Sequence, residues 1–169
     1  MTAPEMGRRT YNPWLVLITL CLGFFMILLD TTIVNVAMPA ISSGLNASLS
    51  DLLWILNAYV LVYAVLLITA GRLGDLRGQR NLFVGGIIVF TLASLACGLA
   101  PNPTLLIAFR AVQGVGAAML MPQTMAIIIA TFPADRRGTA LGIWGAVAGL
   151  ATVAGPTLGG VLVTYASWQ

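Results

Sequence analysis

Two ionisable side chains sit where lipid would surround them: Asp30, inside the apolar run 14–37, and Arg110, inside the run 104–131. At the centre of a membrane helix each costs about 2.5–3.5 kcal/mol, so each needs a partner, water or a purpose. Burial favours a neutral carboxyl, and a nearby guanidinium favours the charged one. A carboxyl under both influences can take up and release a proton, which is what a proton-coupled transporter requires. Gln113, Gly114 and Ala117 follow Arg110 at i+3, i+4 and i+7, one polar, small-residue stripe on a helix. Gly23 and Ala37 flank Asp30 seven residues to either side, leaving room for close helix approach or for a water-filled cavity. The plainer alternative is a static ion pair that locks two helices. Intramembrane charges are by default functional candidates, and that weighs for the proton.

The composition says what surrounds these charges. Of 169 residues, 59% are hydrophobic and 8% charged, against about 25% charged in soluble domains. So few charges cannot cover a water-facing surface. The bilayer core, about 30 Å thick, is crossed by about 20 apolar residues of helix. No run alternates as barrel strands do. The fold class is therefore all-α, a polytopic transmembrane helical bundle. The net charge of +3 does not indicate nucleic acid, because the positive charges lie at the ends of apolar runs and form no groove-lining cluster. Cys21 and Cys97 fall inside spans without metal-ligand spacing, and histidine is absent. No cofactor, metal or catalytic residue is expected, and the chain reads as a transporter rather than an enzyme.

In order, residues 1–13 form a polar lead and residues 14–169 a bundle with spans at about 14–37, 52–70, 82–100, 104–131 and 140–164. A signal peptide is the rival for the first span, but the run is too long and Met38-Pro39-Ala40 is a poor cleavage site. Pro39 is expected to end the helix. Residues 40–50 form a loop without lysine or arginine, and Ser50 before Asp51 reads as an N-cap. Asn46-Ala47-Ser48 matches the glycosylation sequon only weakly. The short turn Pro101-Asn102-Pro103 makes the third and fourth spans antiparallel neighbours. Residues 133–138 form the last loop. Arg8 and Arg9, then Arg72, Arg77 and Arg80, then Arg136 and Arg137 fall on one face of the membrane, seven of the eight arginines. The positive-inside rule makes that face cytoplasmic, in a multi-pass protein of the cell membrane.

Depth can be estimated from helical rise. At about 1.5 Å per residue, Asp30 lies roughly 24 Å from the cytoplasmic start of its span. By the same rise, Arg110 lies roughly 9 Å from the outer boundary. In a slab of about 30 Å the heights nearly match, so the two can pair. The segment 71–83 adds Gly71, Gly74, Asp75, Arg77, Gly78 and Arg80 between two spans. Its glycines allow a tight turn and close backbone approach, and Asp75 can accept from a helix N-terminus or pair with Arg77 or Arg80. Topology signalling alone explains the arginines but not the aspartate among glycines. In the last span Gly138, Gly142, Gly145, Gly149, Gly155 and Gly159 suit close helix packing, and Gly155-Pro156 should bend the helix. Trp54, Asn57, Tyr59 and Tyr63, with Gln113, are candidates to line a path, although such groups also serve as anchors.

Four stretches in order resemble motifs of the major facilitator superfamily, specifically its fourteen-span EmrB/QacA-type drug:proton antiporters. Residues 29–39, Leu-Asp-Thr-Thr-Ile-Val-Asn-Val-Ala-Met-Pro, resemble the first-helix signature, whose aspartate is implicated in proton or cationic-substrate handling. Residues 71–83 resemble the cytoplasmic loop between helices two and three, which acts as a conformational latch. Residues 110–116, Arg-Ala-Val-Gln-Gly-Val-Gly, resemble the fourth-helix motif whose arginine is assigned to proton coupling. Residues 151–162, with Gly155, Pro156, Gly159 and Gly160, resemble the fifth-helix antiporter motif. The chain departs at Leu76 and Gln79, where the family usually has basic residues, and at Ala151, which replaces a glycine.

The resemblance implies proton-coupled efflux of lipophilic or cationic compounds, with membrane lipid, a small-molecule substrate and protons as partners and no nucleic acid. Transporters of this kind have six-span halves built from inverted three-span repeats. Against that plan the chain is expected to hold the first repeat and two spans of the next, an amino-terminal fragment incompetent alone. The alternative is a non-transporting membrane module or assembly partner.

Overall fold

The computed structural model describes residues 12–165, with side chains to Val161. Arg8, Arg9 and most of the polar lead lie outside the described residues, as does the carboxyl-terminal Ser167-Trp168-Gln169. Five helices follow one another: α1 Pro13–Leu45, α2 Leu49–Arg77, α3 Gln79–Gly98, α4 Pro103–Thr131 and α5 Ala134–Tyr165. Each is long and apolar enough to cross a membrane.

The helices are longer, and their connections shorter, than the apolar runs suggest. Pro39 does not end α1, which continues to Leu45. Pro39 costs α1 only the backbone bond to the Asn35 carbonyl, a loss that membrane helices tolerate. The expected loop 40–50 shrinks to residues 46–48, with Asn46 left-handed at φ 50°. The cap of α2 is Ser48 and not Ser50. Its Oγ accepts from the Asp51 backbone N–H at 3.2 Å, while Asp51 accepts from the Ser48 N–H at 2.9 Å, a reciprocal capping box. Asn12 and Asn102 cap α1 and α4 ahead of Pro13 and Pro103. The last expected loop is likewise mostly helix, since α5 starts at Ala134 with Asp135 in its first turn.

Packing follows glycine more than chain order. Helix α4 is central, with α2 on one side and α3 on the other, while α1 packs chiefly on α5. The two groups, α2–α3–α4 and α1–α5, touch each other sparsely. A Cβ on Gly114 would stand 2.6 Å from the Tyr59 carbonyl oxygen of α2. On Gly116, two residues along, it would stand 2.6 Å from the Phe90 backbone nitrogen of α3. Two hydrogens thus let two backbones approach α4 on different faces. The expected antiparallel pairing of the third and fourth spans is present, through Gly86 with Leu120 and Phe90 with Gly116.

In α5 only part of the glycine series is used. Gly155 faces the Thr32 side chain of α1, and Gly159 faces Ile33 and Val36. Gly138, Gly142, Gly145 and Gly149 would present a side chain to open space, so helix packing among the described residues does not explain them. Gly114→Val is expected to overpack the α2–α4 contact at about 1–3 kcal/mol and lower the melting temperature by several degrees. Gly142→Ala should leave it unchanged or slightly raised. Thermal unfolding in detergent checks both.

Candidate functional site

The rows of contacts fix relative direction. Ile55, Tyr59, Ala70 and Gly74 of α2 meet Arg110, Gly114 and Gln123 of α4 in increasing order, so these helices run parallel. Phe24 stacks on Trp144 at 4.2 Å, and Thr32 meets Gly155, so α1 and α5 are parallel too. Trp14 at the start of α1 lies edge-on to Phe132 at the end of α4, with ring centroids 5.3 Å apart. One end of the bundle therefore carries Arg72, Arg77, Arg80, Arg136 and Arg137.

Toward the other end, Asp30 and Arg110 meet. Arg110 Nη1 donates to Asp30 Oδ2 at 2.5 Å, with the Arg110 side chain 3% exposed and that of Asp30 13%. Gln113, one turn along α4, ties both together. Its Nε2 donates to Asp30 Oδ1 at 2.8 Å, and its Oε1 accepts from Arg110 Nη1 at 2.7 Å. The carboxylate thus has both oxygens engaged, which suits a buried charge. Arg110 Nε donates to the Ile55 carbonyl at 3.3 Å, and the guanidinium carbon lies 4.3 Å from the centre of the Tyr59 ring, within cation–π range. The Cys97 thiol donates to Gln113 Oε1 at 3.8 Å. Four helices therefore contribute to one polar cluster.

The cluster holds more than the pattern of charges indicated. The Ile55 carbonyl carries no sequence signal, and Cys97 reads as a small apolar residue. Gln113 and Tyr59, candidates for lining a path, are sealed inside the packing at about 1% exposure. Tyr63 is half-buried and stacks against Tyr59 at 6.3 Å. Asn57 and Trp54 are exposed, and Asn57 lies two residues from Tyr59, toward the opposite side of α2.

The second group of candidates lies at the arginine-bearing end. The expected tight turn of three glycines is a single residue: only Gly78, at φ 93°, leaves the helical conformation. Gly71 and Gly74 lie within α2 and face Pro122 and Gln123 of α4. Asp75 stands 3.8 Å from Arg72, one turn earlier in the same helix, a partner other than the expected Arg77 or Arg80. Arg77 occupies the last turn of α2, where a cation complements the helix dipole. Gly74, Asp75, Gly78 and Arg80 share a shallow cleft with Gln79, Ile127 and Ala130. Gln123, unremarked in sequence, is fully buried and donates to the Ala70 carbonyl at 3.0 Å. Its amide inside an apolar run was the available signal, since such a group must find a partner in lipid. In α5, Gly155 and Gly159 seat α1, helix persists through Pro156, and Gly160 is half-buried beside them.

The family model described as Major Facilitator Superfamily matches residues 20–169. An uncharacterised MFS-type transporter of Mycobacterium tuberculosis is 50% identical over 94% of this chain and 27% of its own length. The tetracenomycin C resistance and export protein of Streptomyces glaucescens is 43% identical over 98% of this chain and 31% of its own length. The multidrug resistance protein Stp of Mycobacterium tuberculosis is 44% identical over 92% and 29%, respectively. The chain spans about a third of the length of the curated relatives it matches. The crystal structure of a bacterial homologue of the human lysosomal transporter Spinster, inward-facing and unoccupied, superposes with a TM-score of 0.78. It is 27% identical and is matched over 92% of this chain and 33% of that one.

Proposed function

The chain belongs to the major facilitator superfamily, a family of membrane transporters, and on that footing we propose that its spans serve proton-coupled export of lipophilic or cationic compounds. The observation that carries this reading is the Asp30 carboxylate, held across the helices by Arg110 and Gln113. A proton on Asp30 removes the charge that Arg110 binds, and the link from α1 to α4 weakens. Because α1 packs sparsely on α2 and α4 but closely on α5, the α1–α5 pair is the part free to shift. Gly155 and Gly159 seat α1 against α5 just beyond Asp30, so the antiporter-type segment moves with the proton site. Protonation of Asp30 and binding of the exported compound then favour opposite positions of the α1–α5 pair, which is the thermodynamic basis of exchange.

Several features favour the fourteen-span drug:proton antiporter branch: the four motif stretches and relatives named for resistance and export. The parallel pairs α1–α5 and α4–α2 are related by exchanging α1 with α4 and α2 with α5, as inverted three-span repeats would give. The arginine-rich end is assigned to the cytoplasm of the cell membrane by the positive-inside rule. In this reading Gly71, Gly74, Asp75, Arg77, Gly78 and Arg80 form the conformational latch. Everted vesicles from cells expressing the gene that encodes this chain test the function. They are expected to accumulate a fluorescent lipophilic cation and to lose it when an uncoupler is added. Accumulation indifferent to the uncoupler would refute proton coupling, and none at all would favour a non-transporting module.

A further inference from the structure

One buried polar atom of the cluster has no partner. The hydroxyl of Tyr59 is shielded from solvent and makes no hydrogen bond, although the residue is only 1% exposed. Buried polar groups are nearly always bonded, and an orphan calls for a reason. Phenylalanine would fill the same space and offer the same ring face to Arg110 without that liability. The hydroxyl is therefore unfavourable in the arrangement seen, where Asp30 holds Arg110.

Arg110 has four anchors, and only one of them belongs to α1. The Ile55 carbonyl and the Tyr59 ring lie on α2, Gln113 lies on α4 itself, and Asp30 alone lies across the sparse boundary between helix groups. Loss of the Asp30 charge leaves a guanidinium sealed among neutral groups, with a donor to satisfy. The Tyr59 hydroxyl is the buried polar atom of the cluster left without a partner, on the edge of the ring that the guanidinium already covers. A slide from ring face to ring edge would bond it.

We propose that Tyr59 is a positioning residue whose hydroxyl takes over Arg110 when Asp30 is neutral, keeping the cation in place while α1 is released. The inference rests on Asp30 becoming neutral in the working cycle, but its test fixes neutrality by substitution. Failure of proton coupling and failure of the Tyr59 role are therefore separately visible.

The experiment is a double-mutant cycle on the full chain in lipid nanodiscs, read by thermal unfolding. Tyr59→Phe alone should leave the melting temperature unchanged or raise it, because an unbonded hydroxyl is removed. In an Asp30→Asn background the same change should lower it by about 2–4 °C, a reversal of sign that a merely structural tyrosine would not give. Asp30→Ser replaces Asp30→Asn if the latter does not fold. Ultraviolet resonance Raman difference spectra, with and without Tyr59→Phe, report the hydroxyl directly. They should show it unbonded in the wild-type chain and accepting a hydrogen bond in the Asp30 variant. Equal effects of Tyr59→Phe in both backgrounds, or an unbonded hydroxyl in both spectra, would overturn the proposal.

Discussion

Arg110→Met should lower the stability of the chain by about 3–5 kcal/mol. The reason is what remains afterwards. Asp30 keeps one hydrogen bond, from Gln113, while the Ile55 carbonyl loses its bond from Arg110 and the Tyr59 ring loses its cation. Methionine restores volume but no donor. The melting temperature in detergent should fall on the order of 10 °C. The double variant Asp30→Leu with Arg110→Met should recover most of that loss, because replacing both members of a buried pair by apolar groups is often neutral. A double variant as unstable as the single would mean that the polar cluster holds the helices by its shape rather than its charge.

Much of this site was legible in advance, for a physical reason. In a chain with 8% charged residues, every charge inside an apolar run is conspicuous, and helical rise converts position into depth. That sufficed to bring Asp30 and Arg110 to one height, and the arginines marked one end of the bundle. Helix ends were less legible. Hydropathy reports where lipid begins, whereas a helix continues until its backbone is capped, as by left-handed Asn46, or until a residue such as Gly78 turns it. Pro39 misleads because a proline removes a single backbone hydrogen bond, a loss that a membrane helix tolerates, and α1 continues to Leu45. The helix-to-helix pattern was largely hidden. Gly155 and Gly159 face α1 closely, while Gly138 and Gly142, also four residues apart, face open space among the described residues. Spacing says that a helix can be approached and leaves open from which side.

The second large effect concerns function. Asp30→Asn should retain a folded bundle, since the amide keeps the size of the carboxyl and its one carbonyl oxygen can still accept from Gln113, but it releases Arg110 and cannot cycle a proton. Export driven by a pH gradient should fall by at least about tenfold, equivalent to about 1.4 kcal/mol in the coupled step. Counterflow, in which labelled substrate exchanges without any net proton movement, should persist. Asp30→Glu, which restores an ionisable group on a longer stem, should return part of the driven export.

The most direct test is to reconstitute the transporter containing this chain in proteoliposomes, impose a pH gradient, and compare substrate movement in wild type and Asp30→Asn with folding verified. The expected result is driven movement in the wild type, none above the gradient-free baseline in Asp30→Asn, and equal counterflow in both. Undiminished movement driven by the gradient in Asp30→Asn would contradict the assignment of the proton to the carboxylate that Arg110 and Gln113 hold.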